Sequence, residues 1–574
     1  MKIVCLVKQI PSPDAIEFDQ ETKALKREGV PLILNPFDAR AVAEAVRLRE
    51  AAGGEVVAMT MGPPQSEKAL RECLGLGADR CIHLSDRAFA LADTIGTSRA
   101  LALAIEKEGC DLVLCGLKTL DAETWQVPPE TAAFLGRPHV TNSIGLAVEG
   151  GRLRVRRETD DGEETVEVPL PAVVSIARAA QEPDEVEPVE GPIDVWTATD
   201  LVDDLRENDK RFGQTGSPTR VLAVRDVTPP RAGIHTDSAE DAVTSIRKLL
   251  AERPPGETAW EKPERLGEKP GKSYDAWTLV ETVGGRPSRP SLELLAKGRE
   301  LAGKLGGRNV ALVLGHDLGS VAEALGRHGA ERVVLVDDPR LARYDGQLWS
   351  AALVEVLRKE RPHVLAIPAT ANGRDVGPRA AGDLELGMTG DCVNLGIDRA
   401  GRLIQTKPAY GGNIVSVIMG ATTPQLATVR PRMFAPLEPR DEQASVERFE
   451  LEALPAVQAQ LVEERPEPAH DLDEAEVVAF VGPDAPKINA GVAVGGTRAA
   501  CAAGGLSRNR QIGLYGRPVA PSVLVAVNVD GDFEELTGIV KSRVIVSVDG
   551  GAGLEAQADI IFRGDPNELI AALG

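Results

Sequence analysis

Arg361–Asn413 reads R-P-H-V-L-A-I-P-A-T-A-N-G-R-D-V-G-P-R-A-A-G-D-L-E-L-G-M-T-G-D-C-V-N-L-G-I-D-R-A-G-R-L-I-Q-T-K-P-A-Y-G-G-N, and the order of its parts decides the fold. An apolar strand, Val364 to Ile367, runs into a small-residue turn. A helix then opens around Gly377-Pro378, and another turn leads to a G-R-L strand pair. About 250 residues earlier the same order occurs. There Asp111–Thr141 reads D-L-V-L-C-G-L-K-T-L-D-A-E-T-W-Q-V-P-P-E-T-A-A-F-L-G-R-P-H-V-T, followed by E-G-G-R-L-R-V at Glu149–Val155. Upstream, Gly77-Ala78-Asp79-Arg80 before C-I-H-L-S-D answers Gly329-Ala330-Glu331-Arg332 before V-V-L-V-D-D. A nearly constant offset over several landmarks marks a duplicated domain.

The chain has 574 residues, too many for one core; the prior is ~3–4 domains. Aromatic residues make up only 3%, so the cores are built from Val, Leu, Ala and Ile. A net charge of -22 argues against nucleic acid or an anionic membrane as the main partner, because either needs a basic footprint. Seven cysteines are scattered without C-x-x-C or Cys/His spacing, which fits buried thiols in a reducing cytosol and gives no metal site. The start M-K-I-V-C-L-V-K-Q is too short an apolar run for a signal peptide, and no run of about 18 apolar residues exists. A cytoplasmic protein without an integral membrane segment is expected.

In order, Lys2 to Val7 is a buried strand. Asn35 stands as N-cap of a helix with Pro36 at N1. Strand Val56 to Met61, helix Gln65 to Leu76, strand Cys81 to Leu84, a helix from Ala92–Ser98 to about Glu106 and strand Leu112 to Cys115 follow. Strands alternating with helices predict a parallel, doubly wound sheet, which binds ligands at the carboxyl ends of its strands. Loops 7–11, 61–64, 92–98 and 116–127 lie at those ends. The Thr97 and Ser98 hydroxyls at a helix start fit either a phosphate or plain N-capping.

A hairpin turning at Asp161-Gly162 comes next, then irregular acidic, Pro-bearing chain from 181 to 230, a helix Asp241 to Glu252 and a charged linker. Gly267-x-x-x-Gly271-Lys272-Ser273 in that linker is one residue short of a phosphate loop and follows no strand. The strand–helix programme restarts at Trp277. Helices are expected at 291–305, 319–328 and 348–360 and strands at 309–314 and 332–336, with a second hairpin at Asp398 to Gln405. Past a second acidic linker, the last hundred residues form a third α/β domain. The fold class expected is therefore α/β, with two related doubly wound parallel-sheet nucleotide-binding domains plus a smaller C-terminal α/β FAD-type domain. The boundaries expected are 1–195, an arm and linker 196–273, 274–440, a linker 441–474 and 475–574.

These residues resemble the electron transfer flavoproteins, with β and α subunits fused in that order. The first half resembles the β subunit at Val7-Lys8-Gln9, Asn35-Pro36-Phe37-Asp38, Met61-Gly62-Pro63-Pro64, Ser85-Asp86-Arg87-Ala88-Phe89 and Asp93-Thr94-x-x-Thr97-Ser98. It does so again at Gly116-x-x-x-x-Asp121-x-x-Thr124-x-Gln126 and Val168-Pro169-Leu170-Pro171-Ala172. The second half resembles the α subunit at Asn372-Gly373-Arg374-Asp375, Thr389-x-Asp391-Cys392, Gly411-Gly412-Asn413, Thr428-Val429-Arg430-Pro431 and Arg510-Gln511-Ile512-Gly513. The resemblance implies an electron carrier that accepts from a flavin-dependent dehydrogenase and passes to a downstream oxidoreductase or quinone reductase, with FAD as its only redox chemistry and no catalytic side chain. It implies FAD in the last domain and AMP or a second FAD in the N-terminal site. It assigns Asp93, Thr94, Thr97, Ser98, Gly116, Asp121, Thr124 and Gln126 to the N-terminal nucleotide, with Val7, Asn35 and Gly62 walling the adenosine. Arg374 and Arg430 are expected to face a flavin ring there from across the domain interface. Thr497-Arg498 keep the family's arginine beside the C-terminal flavin, where a fixed cation favours the reduced, anionic ring.

The last domain departs from the family. Its Gly-Arg-Gly turn is Gly482-Pro483-Asp484, its Gln-Thr-Gly is Leu514-Tyr515-Gly516, and its Ser-Gly-Ala-Ile-Gln-His is Asp530-Gly531-Asp532-Phe533-Glu534-Glu535. One carboxylate ~4 Å from a phosphate charge costs about 4 kcal/mol at an effective dielectric near 20, roughly a thousandfold in affinity. Unless Asp530 caps a helix and points away from any ligand, flavin binding there is expected to be weakened or lost. The alternative to a shuttle is a diverged flavin-poor docking or nucleotide-binding subunit of a dehydrogenase complex. An ATP-using transferase would need a Gly-rich loop after the first strand, and Lys8-Gln9-Ile10-Pro11 is not one.

Overall fold

The structure is a computed structural model that describes residues 1–13, 30–160, 162–177, 181–226, 231–253, 259–266, 274–409, 414–466, 472, 475–489 and 491–573. Asp161 of the expected hairpin turn, Pro229-Pro230, the Gly267–Ser273 segment and Gly411-Gly412-Asn413 lie outside the described residues.

The duplication read from Arg361–Asn413 is visible as strand order. Across the first lobe the parallel strands run Ile193–Trp196, Arg80–Leu84, Glu55–Met61, Lys2–Leu6, Leu112–Gly116, Ala172–Ile176 and His139–Glu149. Across the second they run Ser445–Arg448, Arg332–Asp337, Asn309–Gly315, Ala276–Val280, Val364–Pro368, Gln425–Val429 and Met388–Cys392. Position for position, these are the same seven-stranded parallel sheet. Its central strands are buried along their length, as sheets covered by helices on both faces require. In each lobe the order reverses beside the first strand, which places a ligand crevice between Lys2–Leu6 and Leu112–Gly116 in the first.

The two lobes finish their sheets differently. In the first, the hairpin Arg152–Glu158 and Gly162–Pro169 extends the sheet, and Gln460–Pro466 adds an antiparallel edge to it. In the second, Asn394–Ile397, Leu403–Ala409 and Ile414–Gly420 form a separate antiparallel sheet completed by Thr219–Asp226. The segments between domains thus lend strands across domains. Ile234–Thr236 pairs with Ile560–Phe562, and helix Ala239–Glu252 packs on the last domain's six-stranded parallel sheet.

Helix Gly373–Leu384 begins four residues before the expected opening and carries Pro378 inside it. Its first turn is set by the Arg374 and Val376 amides, which donate to Thr370 O and Asn372 O. Pro378 removes one ladder donor without ending the helix, because packing against helix Val127–Phe134 holds the rest. Gly382 is required there: a Cβ would stand 2.8 Å from Ala133 Cβ and 3.2 Å from Glu130 Cα. Beside that contact, Tyr344 Oη donates to Asp375 Oδ2 at 2.7 Å, and His139 Nε2 donates to Oδ1 of the same carboxylate. Arg379 Nη1 donates to His139 Nδ1 at 3.0 Å, so the proton of a neutral imidazole sits on Nε2. The two lobes are one packed body.

Candidate nucleotide site

A cavity of about 1,080 Å³ opens at the carboxyl ends of the first lobe's central strands, at the point where the strand order reverses. Val7 and Gly62 lie on its wall beside Met61 and Leu101. The second lobe closes it with Met388, Lys407 and Ser416, and the crossing strand contributes Thr219 and Val221. Such a space matches the upper range of small-molecule sites, about 300–1,000 Å³.

Its floor is built on two buried acids. Asp38 accepts the Lys8 amide at 2.9 Å and the Gly116 amide at 3.1 Å, which ties the first and fourth loops together. Burial pushes its carboxyl up to about 7, while the bonds it accepts pull it back. A side chain at 116 would meet Phe37 C at 2.7 Å, so glycine is required there by packing alone. Asn35 is buried and its amide serves the neighbouring loop: Nδ2 donates to Lys118 O at 3.0 Å and Oδ1 accepts the Leu120 amide at 3.3 Å. It heads helix Pro36–Ala52 without capping it through its side chain, and it lies behind the cavity wall. Lys8 and Asp121, both on the wall, pair at 2.6 Å.

The second acid is Glu130. Thr94 and Ser98, one turn apart on helix Thr94–Glu108, donate to it at 3.0 and 3.1 Å, and Gln126 Nε2 donates at 3.1 Å. Gln126 also donates to Met388 O at 3.0 Å, joining the lobes at the cavity edge. Burial pushes the Glu130 carboxyl up to about 8, with Asp93 adding to the rise. Ser98 therefore points inward, whereas Thr97, Thr94, Thr124 and Gln126 reach the cavity. Asp93 caps the helix by accepting the Gly96 amide at 3.0 Å. Its other oxygen accepts the Thr219 amide and hydroxyl at 2.8 and 2.7 Å, pinning the crossing strand at the mouth. Leu91, 76% exposed at φ 60, stands at the same mouth in a backbone region costly for a branched side chain.

Arg374 and Arg430 lie on a second cavity, of about 820 Å³, where the three domains meet. Trp125 is a wall of both cavities. Arg374 lies 4.3 Å over its ring and Lys118 5.4 Å from it, within cation–π range. Behind the indole is a nest of charges. Asp391 accepts from Arg374 at 2.8 and 3.1 Å and from Arg430 at 3.1 Å. Glu123 pairs with Lys118 and Arg430, each at 2.9 Å, and its carbonyl accepts from Lys407 at 2.9 Å. Burial would raise both acids, but the cations hold Glu123 at about 2 and Asp391 well below the usual carboxylate range. Burial also lowers Lys407 to about 8, opposed by Glu123 and Asp391.

Sequence reading missed Glu123, Trp125, Glu130 and Lys407. Only Lys407 carried a signal, a cation in the otherwise uncharged strand Leu403–Ala409.

In the last domain, Thr497 caps helix Arg498–Ala502 by accepting the Ala500 amide at 3.2 Å. Arg498 is paired with Glu182 of the first lobe's arm and, at 3.2 Å, with Glu534. Neither residue lies on the wall of either cavity. At the crevice between Val477–Val481 and Val523–Val527, Asp532 caps helix Phe533–Thr537 and Glu535 accepts the Gly531 amide at 2.7 Å. The groups there do not fit a pyrophosphate, since the turn's amide already serves a carboxylate.

Residues 22–201 and 276–454 match the electron transfer flavoprotein domain, and residues 472–540 match the electron transfer flavoprotein FAD-binding domain. The chain is 40% identical over 258 residues to the electron transfer flavoprotein subunit beta of Thermoanaerobacterium thermosaccharolyticum, covering 44% of this chain and 99% of that protein. It is 31% identical over 318 residues to the electron transfer flavoprotein subunit alpha of Clostridium acetobutylicum, covering 52% of this chain and 95% of that one. The caffeyl-CoA reductase-Etf complex subunit CarD of Acetobacterium woodii is 39% identical over 241 residues, 41% of this chain and 90% of its own.

Proposed function

The chain belongs to the electron transfer flavoprotein family, as a β-like half joined to an α-like half, and on that premise we propose that it shuttles electrons through FAD held in the first lobe's cavity. The donor is a flavin-dependent dehydrogenase and the acceptor a downstream oxidoreductase or quinone reductase. In support, one relative is named as part of a caffeyl-CoA reductase complex. Among the described residues no helix is long and apolar enough to cross a membrane, and none of the His, Cys, Asp and Glu groups could hold a metal ion.

The observation that carries the reading is the position and size of the cavity: about 1,080 Å³, at the switch point of a parallel sheet, closed by the partner lobe. The residues present fit a nucleotide. Val7, Gly62 and Met61 offer an apolar wall for a base, and the start of helix Thr94–Glu108, with the Thr97 hydroxyl, favours negative charge. Lys407 places a buried cation on the opposite wall. When bound, FAD supplies the electron-accepting and electron-donating chemistry. The side chains orient it, exclude water and fix its charge environment.

The test is the visible spectrum of the purified chain together with mass spectrometry of ligands released on denaturation. A flavin band near roughly 450 nm and FAD among the released ligands support the shuttle. AMP as the sole ligand overturns it. A colourless preparation favours the second reading, a flavin-poor docking subunit, which the acidic crevice of the last domain supports.

A further inference from the structure

At the strand-end crevice of the family's FAD-binding domain the groups present do not fit a pyrophosphate, and the residues around it are engaged in something else, while Tyr515 and Gly516 also line the three-domain cavity of about 820 Å³. Leu514 is buried in one apolar cluster with Ile10, Phe37, Leu117 and Leu120 of the first lobe, and Tyr515 and Phe533 pack against that cluster. The Tyr515 ring meets Phe37 edge-on at 5.7 Å between centroids. Arg40, on the first lobe's helix, lies 4.1 Å from the centre of the Tyr515 ring, and Arg498 lies 5.5 Å from it. Glu182 joins the two arginines, 3.4 Å from Arg40 and paired with Arg498. A tyrosine between two guanidinium groups that share a carboxylate is a clasp between domains. Such contacts combine ring burial with cation–π attraction and outlast an isolated surface ion pair.

We propose that the last domain carries no flavin and is instead latched closed on the first lobe, with Tyr515 as the pin between Arg40 and Arg498. Four carboxylates, Asp530, Asp532, Glu534 and Glu535, stand within six residues at the crevice mouth. Glu535 occupies the Gly531 amide, and the loops are bridged by Asn528 Nδ2 donating to Asp484 O at 3.3 Å. The two helices at this end have five residues each, too short to present an aligned dipole to phosphate. Arg498, the cation that would face a flavin ring, is spent on the clasp. Leu514, Tyr515 and Glu534, three of the positions that depart from the family's pattern, take part in the latch.

This inference rests on the reading that the first cavity holds FAD only for its counting arm, and the two can fail separately. FAD per chain is measured on the full chain after saturation and on Ala92→Trp, which fills the mouth of the first cavity. One FAD per chain in the former and none in the latter is expected. Two in the full chain, with one surviving in Ala92→Trp, overturns the inference and leaves the first-cavity reading intact. One in both overturns both. None in either supports an empty last domain and overturns the first-cavity reading. The latch is read by small-angle scattering on the same full chain. Tyr515→Ala and, as a second variant outside the apolar cluster, Arg498→Ala are each expected to enlarge the radius of gyration. Unchanged scattering from both variants, each folded by circular dichroism, overturns the latch.

Discussion

Replacing Glu123 by Gln tests the charge nest behind Trp125. The carboxylate is buried, pairs with Lys118 and Arg430 at 2.9 Å each, and sits at φ 47 in the loop that carries the indole. At an effective dielectric near 20, each contact is worth about 6 kcal/mol before desolvation. Removing one partner of such a group leaves buried cations uncompensated, which costs about 3–5 kcal/mol. The protonation balance agrees. A carboxyl held at about 2 instead of its ordinary value contributes about 3 kcal/mol of pH-dependent stability. Because the folded value is depressed, that contribution is present above the unfolded value and disappears as pH falls from about 4.5 to about 2. Glu123→Gln should therefore lower the unfolding free energy by about 3–5 kcal/mol at pH 7 and by much less at pH 3. Urea denaturation at the two pH values measures it, and Arg430→Met in the same background should restore part of the loss. A cost below about 1 kcal/mol at pH 7 would place the pair among ordinary surface contacts and refute the argument.

Glu130 titrates in the opposite sense. Its folded value is raised to about 8, so the folded chain binds more protons than the unfolded one between about 4.5 and 8, and stability falls by about 1.4 kcal/mol per pH unit across that window. Glu130→Gln should remove this slope; an unchanged profile in thermal melts would contradict it. Lys407→Met should weaken FAD retention by about tenfold, or about 1.4 kcal/mol. Since Lys407 loses its proton above about 8, wild-type affinity should decline above that pH while the variant stays flat, as measured by equilibrium dialysis. Asp93→Ala removes a helix cap and two bonds to Thr219, and a loss of about 1–3 kcal/mol with faster hydrogen exchange at Thr219 is expected.

Local chemistry announced most of the framework. Asn35-Pro36, Asp93 and the apolar runs Val364–Ile367 and Leu112–Cys115 mark element starts through propensity and capping, and the repeated landmarks gave the duplicated sheet. What depends on pairing across hundreds of residues was hidden. Ser98 and Thr97 are neighbours, yet only helix rotation against Glu130 decides which one turns inward. Arg374 reaches the three-domain cavity with the Trp125 ring beside it, and Arg430 lies on the wall of the same cavity, held by Asp391 and Glu123. Pro378 suggested a helix boundary, but the tertiary contact at Gly382 overrode that signal. The strand exchanges left no local trace, because edge strands such as Gln460–Pro466 read as charged connecting chain.

Those exchanges have a thermodynamic corollary. Thr219–Asp226 leaves the first half to complete a sheet of the second, and Gln460–Pro466 returns from the second to border the first. Each half is thus woven into the other. In separate polypeptides such weaving dissolves on dilution, but covalent continuity turns it into ring closure at a fixed effective molarity. Melting of the two lobes should consequently be a single event whose midpoint is insensitive to protein concentration.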